Sequence, residues 1–454
     1  MNGMNRRRFL AMAAAGPAVA RARAKRPNVV LILADDMGSG DLSSYGAADI
    51  RTPNIDGIGR RGVRFTRFYD NAPECTPTRT ALLTGRYQQR VGGLECAIGV
   101  NNVGRYDEAV WLQQRGELGL PAAETSLARM LKEAGYDTGC FGKWHLGYEE
   151  KFSPNQHGFD EYFGILGGNA NYFTHEEEGG HAYLYRNGER VKRQGYLTDL
   201  FTGEAVGWLK ARGPRPFFLY LPYNAPHVPI QDPDGADSAT GTAPVRQGDR
   251  KIYARMVERM DRGVGEVLDQ IERMGVGRDT LVLFLSDNGA DPNGSNAPLR
   301  GRKSSLWEGG IRAPLVARWP GVLPEGREVA QVSLTMDLAP TVLAAVGARA
   351  PAGRRLDGEN LMPIMQGRRG PWRRTVFWRY KRGNVVRKAV RDGDLKYVLD
   401  GDREELHDLA SDEREQKDLM EASPGLAEPL RRKLAAWERE VEAPRLREFR
   451  KAAG

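Results

Sequence analysis

The chain has 454 residues, of which 40% are hydrophobic and 28% charged, and its formal net charge is +8. No apolar run reaches the roughly 20 residues of a membrane-spanning helix, so we expect a globular protein with no stable membrane insertion. Positive and negative charges are scattered rather than gathered into a basic stripe with interleaved aromatic residues, which argues against nucleic acid as a partner.

The first 24 residues have the layout of an export signal. Residues 6–8 are all arginine, an alanine-rich stretch follows, and small residues near Ala24 suit cleavage. This order is typical of a twin-arginine signal, whereas an attached basic helix would be interrupted by Gly16 and Pro17. We therefore expect the twin-arginine export machinery to carry the chain to the periplasm or the exterior of a bacterial cell. Removal of residues 1–24 lowers the formal net charge to +3, because five arginines and no acids are lost.

Short apolar runs predict buried strands, and helical patterns lie between them. The runs cover residues 29–33, 217–221, 281–285 and 314–317. Helices are predicted at 126–134 and 252–274, each followed by glycine. This alternation predicts an α/β fold with a large mixed, mostly parallel sheet flanked by helices.

A different type of segment follows a glycine- and arginine-rich linker at 365–372. Strand-like stretches at 375–380, 385–391 and 395–399 precede a charged helix at about 425–440. They predict a small C-terminal antiparallel sheet plus one helix. We accordingly divide the chain into an export signal (1–24), a main domain (27–366) and a C-terminal α+β subdomain (372–447).

Polar side chains follow the predicted strands, where open α/β sheets collect their functional groups. Asp35 and Asp36 follow the first strand, and Asp287 and Asn288 follow the strand at 281–285. Three carboxylates and an amide form an all-oxygen set that suits Ca²⁺ or Mg²⁺ rather than zinc. One Asp-Asp pair alone is more often a cap or a turn, but two such pairs after two buried strands favour a metal site.

Other strands lead to cations and imidazoles. Lys143 and His145 follow a strand near 138–141, and His227 follows the strand at 217–221. Taken singly, such histidines are usually packed in the core and such lysines usually lie on the surface. Their shared position after strands favours a common site.

Cys75 stands where a helix begins, and Arg79 follows one turn later on the same face. A helix start and a guanidinium favour negative charge, which suits an oxyanion or an ionised nucleophile. A capped helix with a buried cysteine explains this segment equally well. Cys96 and Cys140 fit neither a disulfide framework nor zinc spacing, and whether they pair stays open.

The segment that begins at Cys75 reads Cys-Thr-Pro-Thr-Arg and continues to Leu-Leu-Thr-Gly at 82–85. It resembles the maturation signature of the sulfatase family, within the alkaline phosphatase superfamily. Further matches span about residue 27 to beyond 410 and include Gly142-Lys143-Trp144-His145, Gly301-x-Lys303, the segment 308–314 and the segment 405–409.

The resemblance implies that a formylglycine-generating enzyme oxidises Cys75 to formylglycine, whose hydrate supplies the nucleophilic oxygen. It assigns one metal, usually Ca²⁺, to Asp35, Asp36, Asp287 and Asn288 together with the residue-75 hydrate. Arg79 matches the residue that steadies the hydrate, and the residues that hold sulfate and move protons match Lys143, His145, His227 and Lys303. Either His227 or Lys303 protonates the leaving oxygen. His145 is the candidate base that expels sulfate from the hemiacetal ester and restores the aldehyde.

We therefore expect a sulfuric ester hydrolase of the arylsulfatase type that acts on a sulfated sugar or an aryl sulfate. Two alternatives stay open: a phosphonate or phosphate monoester hydrolase of the same superfamily, and a catalytically silent binder of sulfated glycans. Glu74 is a departure, since the family mostly has an aliphatic or small residue there. A carboxylate at that position could alter sulfate affinity or contact the substrate. Tyr172, Phe173 and Tyr183 could stack on a sugar or serve as packing.

Overall fold

The computed structural model describes residues 26–99, 106–176, 184–235 and 249–453. A ten-stranded mixed sheet covered by helices forms the larger part, and a four-stranded antiparallel sheet forms the C-terminal part. This architecture confirms the predicted fold class. The export signal predicted at 1–24 lies outside the described residues, as does Tyr183.

The strands are numbered in chain order. They are β1 (Asn28–Ala34), β2 (Val63–Phe65), β3 (Phe68–Tyr69), β4 (Asp137–Lys143), β5 (Glu161–Ile165), β6 (Leu184–Arg186), β7 (Glu189–Val191), β8 (Phe217–Pro222), β9 (Thr280–Ser286), β10 (Leu315–Arg318), β11 (Arg327–Val329), β12 (Ser333–Leu334), β13 (Thr375–Arg382), β14 (Val385–Asp392), β15 (Leu395–Asp400) and β16 (Arg403–Asp408).

The α-helices are numbered in the same way. They are α1 (Pro53–Arg60), α2 (Cys75–Thr84), α3 (Asp107–Gln114), α4 (Leu127–Glu133), α5 (Leu197–Lys210), α6 (Arg250–Arg273), α7 (Glu308–Ile311), α8 (Leu338–Val346), α9 (Met362–Met365), α10 (Ala427–Glu440) and α11 (Arg447–Ala453). No helix in the described ranges has the length and apolarity needed to span a membrane.

The large sheet has the strand order β11-β2-β10-β9-β1-β8-β4-β5-β6-β7. Its central strands β9, β1, β8, β4 and β5 are mutually parallel. Alternate residues of β1 face two different cores, because successive side chains in a strand point to opposite faces. Val29, Leu31 and Leu33 pack with α2, α4 and α8, while Val30 and Ile32 pack with α1, α5 and α6. Helices thus cover both faces, which explains why the central strands are apolar throughout.

The small sheet has the order β13-β14-β15-β16, and α10 packs against it. It shares one apolar cluster with the larger part, since Tyr69, Ala81 and Ile311 lie in the same cluster as Trp378 and Trp437. The predicted linker is fixed at its C-terminal end by Gln331. The Gln331 side chain donates a hydrogen bond to Trp372 O and accepts one from the Trp372 backbone N–H. The C-terminal sheet is therefore packed directly on the part that carries the site.

Candidate active site

The polar residues singled out in the sequence meet at one edge of the large sheet. Asp35 and Asp36 follow β1, Lys143 ends β4, and Asp287 and Asn288 follow β9. These strands are parallel, so their carboxyl ends lie on the same side. The side chains of all five residues are buried. This edge carries the candidate site.

Helix α2 brings the cysteine to this edge. It begins at Cys75 and has Pro77 in its first turn, where backbone N–H groups need no helical partner. It is capped at its C-terminal end by Gly85, which adopts a left-handed conformation (φ 67°). Every residue of α2 is buried. The Cys75 thiol donates a hydrogen bond to Asp35 Oδ1 at 3.2 Å.

A group of potential metal-binding atoms surrounds the thiol. One ligand atom each from Asp35, Asp36, Cys75 and His227 lies within 4.8 Å of the others. Asn288 Nδ2 donates to Asp36 Oδ1 at 2.7 Å, and in the described structure the buried Asn288 Oδ1 has no hydrogen-bond partner. Clustered carboxylates with a free amide oxygen fit a hard divalent cation such as Ca²⁺ or Mg²⁺.

Each carboxylate at this edge faces a cation. Lys143 Nζ lies 2.5 Å from Asp35 Oδ2, and Lys303 Nζ lies 2.6 Å from Asp36 Oδ2. Burial raises the pKa of Asp36, but the charges of Lys303 and Lys143 outweigh burial and hold that pKa below its ordinary value. Asp36 is therefore ionised at neutral pH.

Asp287 pairs with the arginine of α2. Arg79 Nε donates to Asp287 Oδ2 at 2.9 Å, and Arg79 Nη2 lies 2.8 Å from the same oxygen. Burial, and then the neighbouring Asp35, raise the pKa of Asp287 against the effect of Arg79. Its other oxygen, Oδ1, accepts the backbone N–H of Asp36 at 3.2 Å. Asp287 thus holds Arg79 and the Asp36 backbone beside the cluster.

The Cys75 thiol itself is not ionised. Burial, and then Asp287 and Asp35, raise its pKa well above the ordinary value. The Arg79 charge is engaged by the same two carboxylates, so it does not offset their effect on the thiol, and the nucleophilic role of residue 75 stays a prediction. A neutral thiol is a poor nucleophile.

The two histidines of the site are both neutral and have opposite tautomers. His227 Nδ1 donates to Val228 O at 2.7 Å, so its Nε2 lone pair faces Lys303 Nζ at 3.3 Å. His145 Nε2 donates to Ile98 O at 2.6 Å, and its buried Nδ1 has no hydrogen-bond partner among the described residues. Burial lowers the pKa of His227 to about 3. Burial, then Lys143 and Arg79, lower that of His145 well below its ordinary value.

Comparison with known proteins shows to which family the chain belongs. Residues 27–348 match the family model described as Sulfatase. The chain belongs to the sulfatase family. A second match, described as N-sulphoglucosamine sulphohydrolase, C-terminal, covers residues 302–440. The resemblance noted in the sequence is confirmed, and so is the predicted enzyme class.

Curated sulfatases align with most of the chain. The N-acetylgalactosamine-6-sulfatase of Canis lupus familiaris is 36% identical over 382 residues, which cover 80% of this chain and 70% of that protein. The steryl-sulfatase of Mus musculus is 32% identical over 437 residues, which cover 78% of this chain and 67% of that protein.

Solved structures share the fold. The crystal structure of Ps i-CgsB in complex with k-i-k-neocarrahexaose has a TM-score of 0.81 and 32% identity, and the match covers 91% of this chain and 93% of that one. The phosphonate monoester hydrolase of Agrobacterium radiobacter has a TM-score of 0.66 at 22% identity, which shows likeness of fold alone.

Two residues of this sulfatase have surroundings that the sequence did not indicate. Tyr172 is buried; its hydroxyl donates to the carbonyls of Asn224 and His227, and its ring stacks on Tyr196. It therefore supports the His227 segment and offers no platform for a sugar. Glu74 is fully buried and its carboxylate accepts hydrogen bonds from Ser304 and Tyr380; its effect on sulfate affinity stays a prediction.

The remaining cysteines of the sulfatase lie in the core. Cys96 and Cys140 are buried and not disulfide-bonded.

The roles that the sequence assigns to Cys75, Arg79, Lys143 and the other site residues stay predictions, although the structure brings these groups together.

Proposed function

We propose that this sulfatase hydrolyses a sulfate ester of a sugar, releasing the alcohol and sulfate, with residue 75 as formylglycine and one divalent metal, Ca²⁺ or Mg²⁺. One observation carries the proposal: the Cys75 side chain lies at a buried helix start, 3.2 Å from Asp35, in a cluster that includes Asp36 and His227. Burial raises the pKa of the Cys75 thiol, and a thiol of raised pKa is a poor nucleophile, which supports conversion of residue 75 to another nucleophile. Similarity to an N-acetylgalactosamine-6-sulfatase and to a structure with a bound neocarrahexaose favours a sugar over a steroid.

Asp35, Asp36, Asp287 and Asn288 would hold the metal, whose positive charge would polarise the sulfate oxygens. As formylglycine, residue 75 would supply a nucleophilic oxygen in place of the thiol. These donors fit a hard cation because they offer oxygen atoms, and one of them, Asn288 Oδ1, has no hydrogen-bond partner among the described residues.

The side chains of the site supply the other requirements of the reaction. Lys143 and Lys303 place two ammonium groups at the edge where sulfate negative charge must be neutralised. Lys303 Nζ and His227 Nε2 lie 3.3 Å apart, so a proton for the leaving alkoxide can pass between them. Either group can therefore serve as the acid.

His145 has the arrangement of a general base. Its Nε2–H is fixed on Ile98 O, which leaves the Nδ1 lone pair available to accept a proton. A neutral imidazole is required for this role, and the low pKa of His145 keeps it neutral.

The deciding experiment is peptide mass spectrometry across residue 75 of protein coexpressed with a formylglycine-generating enzyme, followed by release of sulfate from a chromogenic aryl sulfate. We expect the mass of the aldehyde or its hydrate, and turnover that depends on Ca²⁺ or Mg²⁺. The Cys75→Ala variant should lose at least ~10³-fold in kcat, because no covalent nucleophile remains. A residue 75 that stays a thiol, under conditions that mature a control sulfatase, contradicts the proposal and leaves sulfated-glycan binding as the reading to test. Faster turnover of a phosphonate monoester would favour the phosphonate hydrolase instead.

Export is part of the same proposal. Arg6 and Arg7 belong to the twin-arginine pattern, and we infer a periplasmic or secreted protein. Fractionation of a bacterial host should find the wild-type protein outside the cytoplasm and the double variant Arg6→Lys, Arg7→Lys retained. Equal distribution of the two proteins would refute the assignment.

A further inference from the structure

Glu74, the residue before Cys75, joins three separate parts of the chain. Its Oε1 accepts hydrogen bonds from Ser304 Oγ at 2.7 Å, from the Tyr380 hydroxyl at 2.8 Å and from Arg382. Its Oε2 accepts the backbone N–H of Ala97 at 2.7 Å. The side chain is wholly buried. A buried carboxylate with this many donors is held in one position.

One of these contacts holds Ser304, the residue after Lys303. Ser304 adopts a left-handed backbone (φ 69°), which is unusual for a residue other than glycine and persists only where neighbours hold it. Its N–H donates to Pro73 O at 2.9 Å, and its carbonyl accepts from Arg387 at 3.1 Å. Residues 73–74 and Ser304 are thus joined by two hydrogen bonds, one through backbone and one through the Glu74 side chain.

The charge of Glu74 is also accounted for. A carboxylate beside a site for an anionic ester would repel the substrate unless a cation neutralised it. Arg382 pairs with Glu74 from strand β13, while its own side chain is 44% exposed. The pair therefore places a guanidinium directly against the carboxylate.

We propose that Glu74 is a positioning residue, which sets Cys75 and Lys303 at a fixed distance from each other and ties both to strand β13 of the C-terminal sheet. The inference rests on the proposed function for the roles of Cys75 and Lys303. The contacts of Glu74 with residues 97, 304, 380 and 382 stand independently of that function.

The test compares Glu74→Gln and Ser304→Ala with a matched control, Asp337→Asn. The Asp337 carboxylate is also fully buried and accepts hydrogen bonds from the Arg374 side chain and from backbone N–H groups. Its hydrogen-bond partners among the described residues include neither Cys75 nor Lys303. We measure the formylglycine fraction by mass spectrometry, kcat per matured site, KM, and amide hydrogen exchange in peptides covering residues 73–76 and 303–305.

We expect Glu74→Gln to lower kcat per matured site by ~10-fold or more with a much smaller change in KM, because misplacing reacting groups costs rate rather than binding. Ser304→Ala should lower kcat by a smaller factor, and Asp337→Asn should leave it within about twofold of wild type. Both peptides should exchange faster in Glu74→Gln and at wild-type rates in the control.

Unchanged exchange in both peptides together with unchanged kcat per matured site, in Glu74→Gln and in Ser304→Ala, would overturn the inference. Ser304→Ala keeps the test valid if Glu74→Gln does not fold. If the wild-type protein releases no sulfate but Glu74→Gln loosens both peptides, the proposed function fails and the positioning role stands. Hydrogen exchange therefore separates the two failures.

Discussion

At the scale of single residues, the imidazole of His145 is fixed from two sides. Its Nε2–H is bound to Ile98 O at 2.6 Å. On another side lies Gly168, where a Cβ atom would come within 2.7 Å of His145 Cε1 and Nε2. The absence of a side chain at residue 168 is thus a steric requirement for the ring position.

Gly168→Ala should therefore damage catalysis more than folding. The added methyl must displace the imidazole, since a contact of 2.7 Å is not tolerated. We expect kcat per matured site to fall by ~10- to 100-fold with little change in KM, because a displaced general base loses its reach. Steady-state kinetics on an aryl sulfate measures this, and the melting temperature reports on the fold.

Gly207→Ala is the matched control for that variant. Gly207 lies on helix α5, and a Cβ atom there would have no neighbour within 4 Å. Alanine is the better helix former, so stability should rise by up to ~1 kcal/mol while kcat stays at the wild-type value. An unchanged kcat in Gly168→Ala would contradict the proposed placement of His145.

The residues proposed to bind metal and sulfate could be predicted from the sequence, because strand ends and a spaced motif are local patterns. The contacts that hold those residues in place could not. Glu74 meets Ser304 and Arg382, which are 230 and 308 residues away, and His145 meets the carbonyl of Ile98, a group that every residue carries. Contacts of these two kinds have no local sequence signal, so only the folded chain shows them.

At the scale of elements, apolar strands, the strands of β-branched residues near 375–399 and capped helices were predictable, whereas several short strands and β16 were not. Helix α4 begins after Ser126, whose side chain accepts the N–H of Arg129, and α6 begins after Asp249, which accepts that of Lys251. Strand β16 was not predicted, because the sequence of 403–408 is mostly charged. Its Glu405 is buried with hydrogen bonds from Arg300, Trp307 and His407.

Asp261 links two helices and gives a prediction on pH. From α6 its carboxylate accepts the N–H groups of Asn54 and Ile55 at the start of α1. Burial raises its pKa to about 6, against a value of 3.8 in the unfolded chain. The native protein therefore binds more protons than the unfolded chain between these values, so stability due to Asp261 falls as pH rises from about 4 to 6.

Asp261→Asn should remove this loss of stability. The free energy of unfolding of Asp261→Asn minus that of wild type should rise by about 2 kcal/mol from pH 4 to pH 7. Urea unfolding followed by circular dichroism across that range measures the difference. Asp269→Asn, whose carboxylate on the same helix is 70% exposed, should show no such trend. A difference between Asp261→Asn and wild type that does not vary with pH would refute the pKa assignment.

At the scale of the whole molecule, we expect the C-terminal sheet and the larger part to unfold as one unit. One apolar cluster contains Tyr69 and Ile311 from the larger part and Trp378 from β13. The contacts of Glu74 with Tyr380 and Arg382 add polar links across the same boundary. The division into 27–366 and 372–447 stays a prediction, and the shared cluster indicates that the C-terminal segment has no complete core of its own.

The buried ion cluster at this boundary gives the sharpest test of that coupling. Lys396 of β15 is fully buried, and its Nζ lies 2.9 Å from Glu308 of the larger part and 2.9 Å from Glu415. Lys396→Met leaves two buried carboxylates without their common cation, and removal of one partner from a buried pair costs far more than the pair contributes. We expect the free energy of unfolding to fall by ~3–5 kcal/mol, in a single urea transition.

Lys433→Met separates this cost from the loss of a lysine in general. Lys433 also bridges within the C-terminal part, to Asp392 at 2.6 Å, but its side chain is 43% exposed, so its loss should cost only ~0–1 kcal/mol. Two separate transitions in Lys396→Met would show that the C-terminal sheet unfolds independently, and equal effects of the two variants would mean that the buried cluster does not couple the two parts. Because Glu308 lies on the segment that follows Lys303, the coupled outcome would also make sulfatase activity disappear at the same urea concentration as the C-terminal structure.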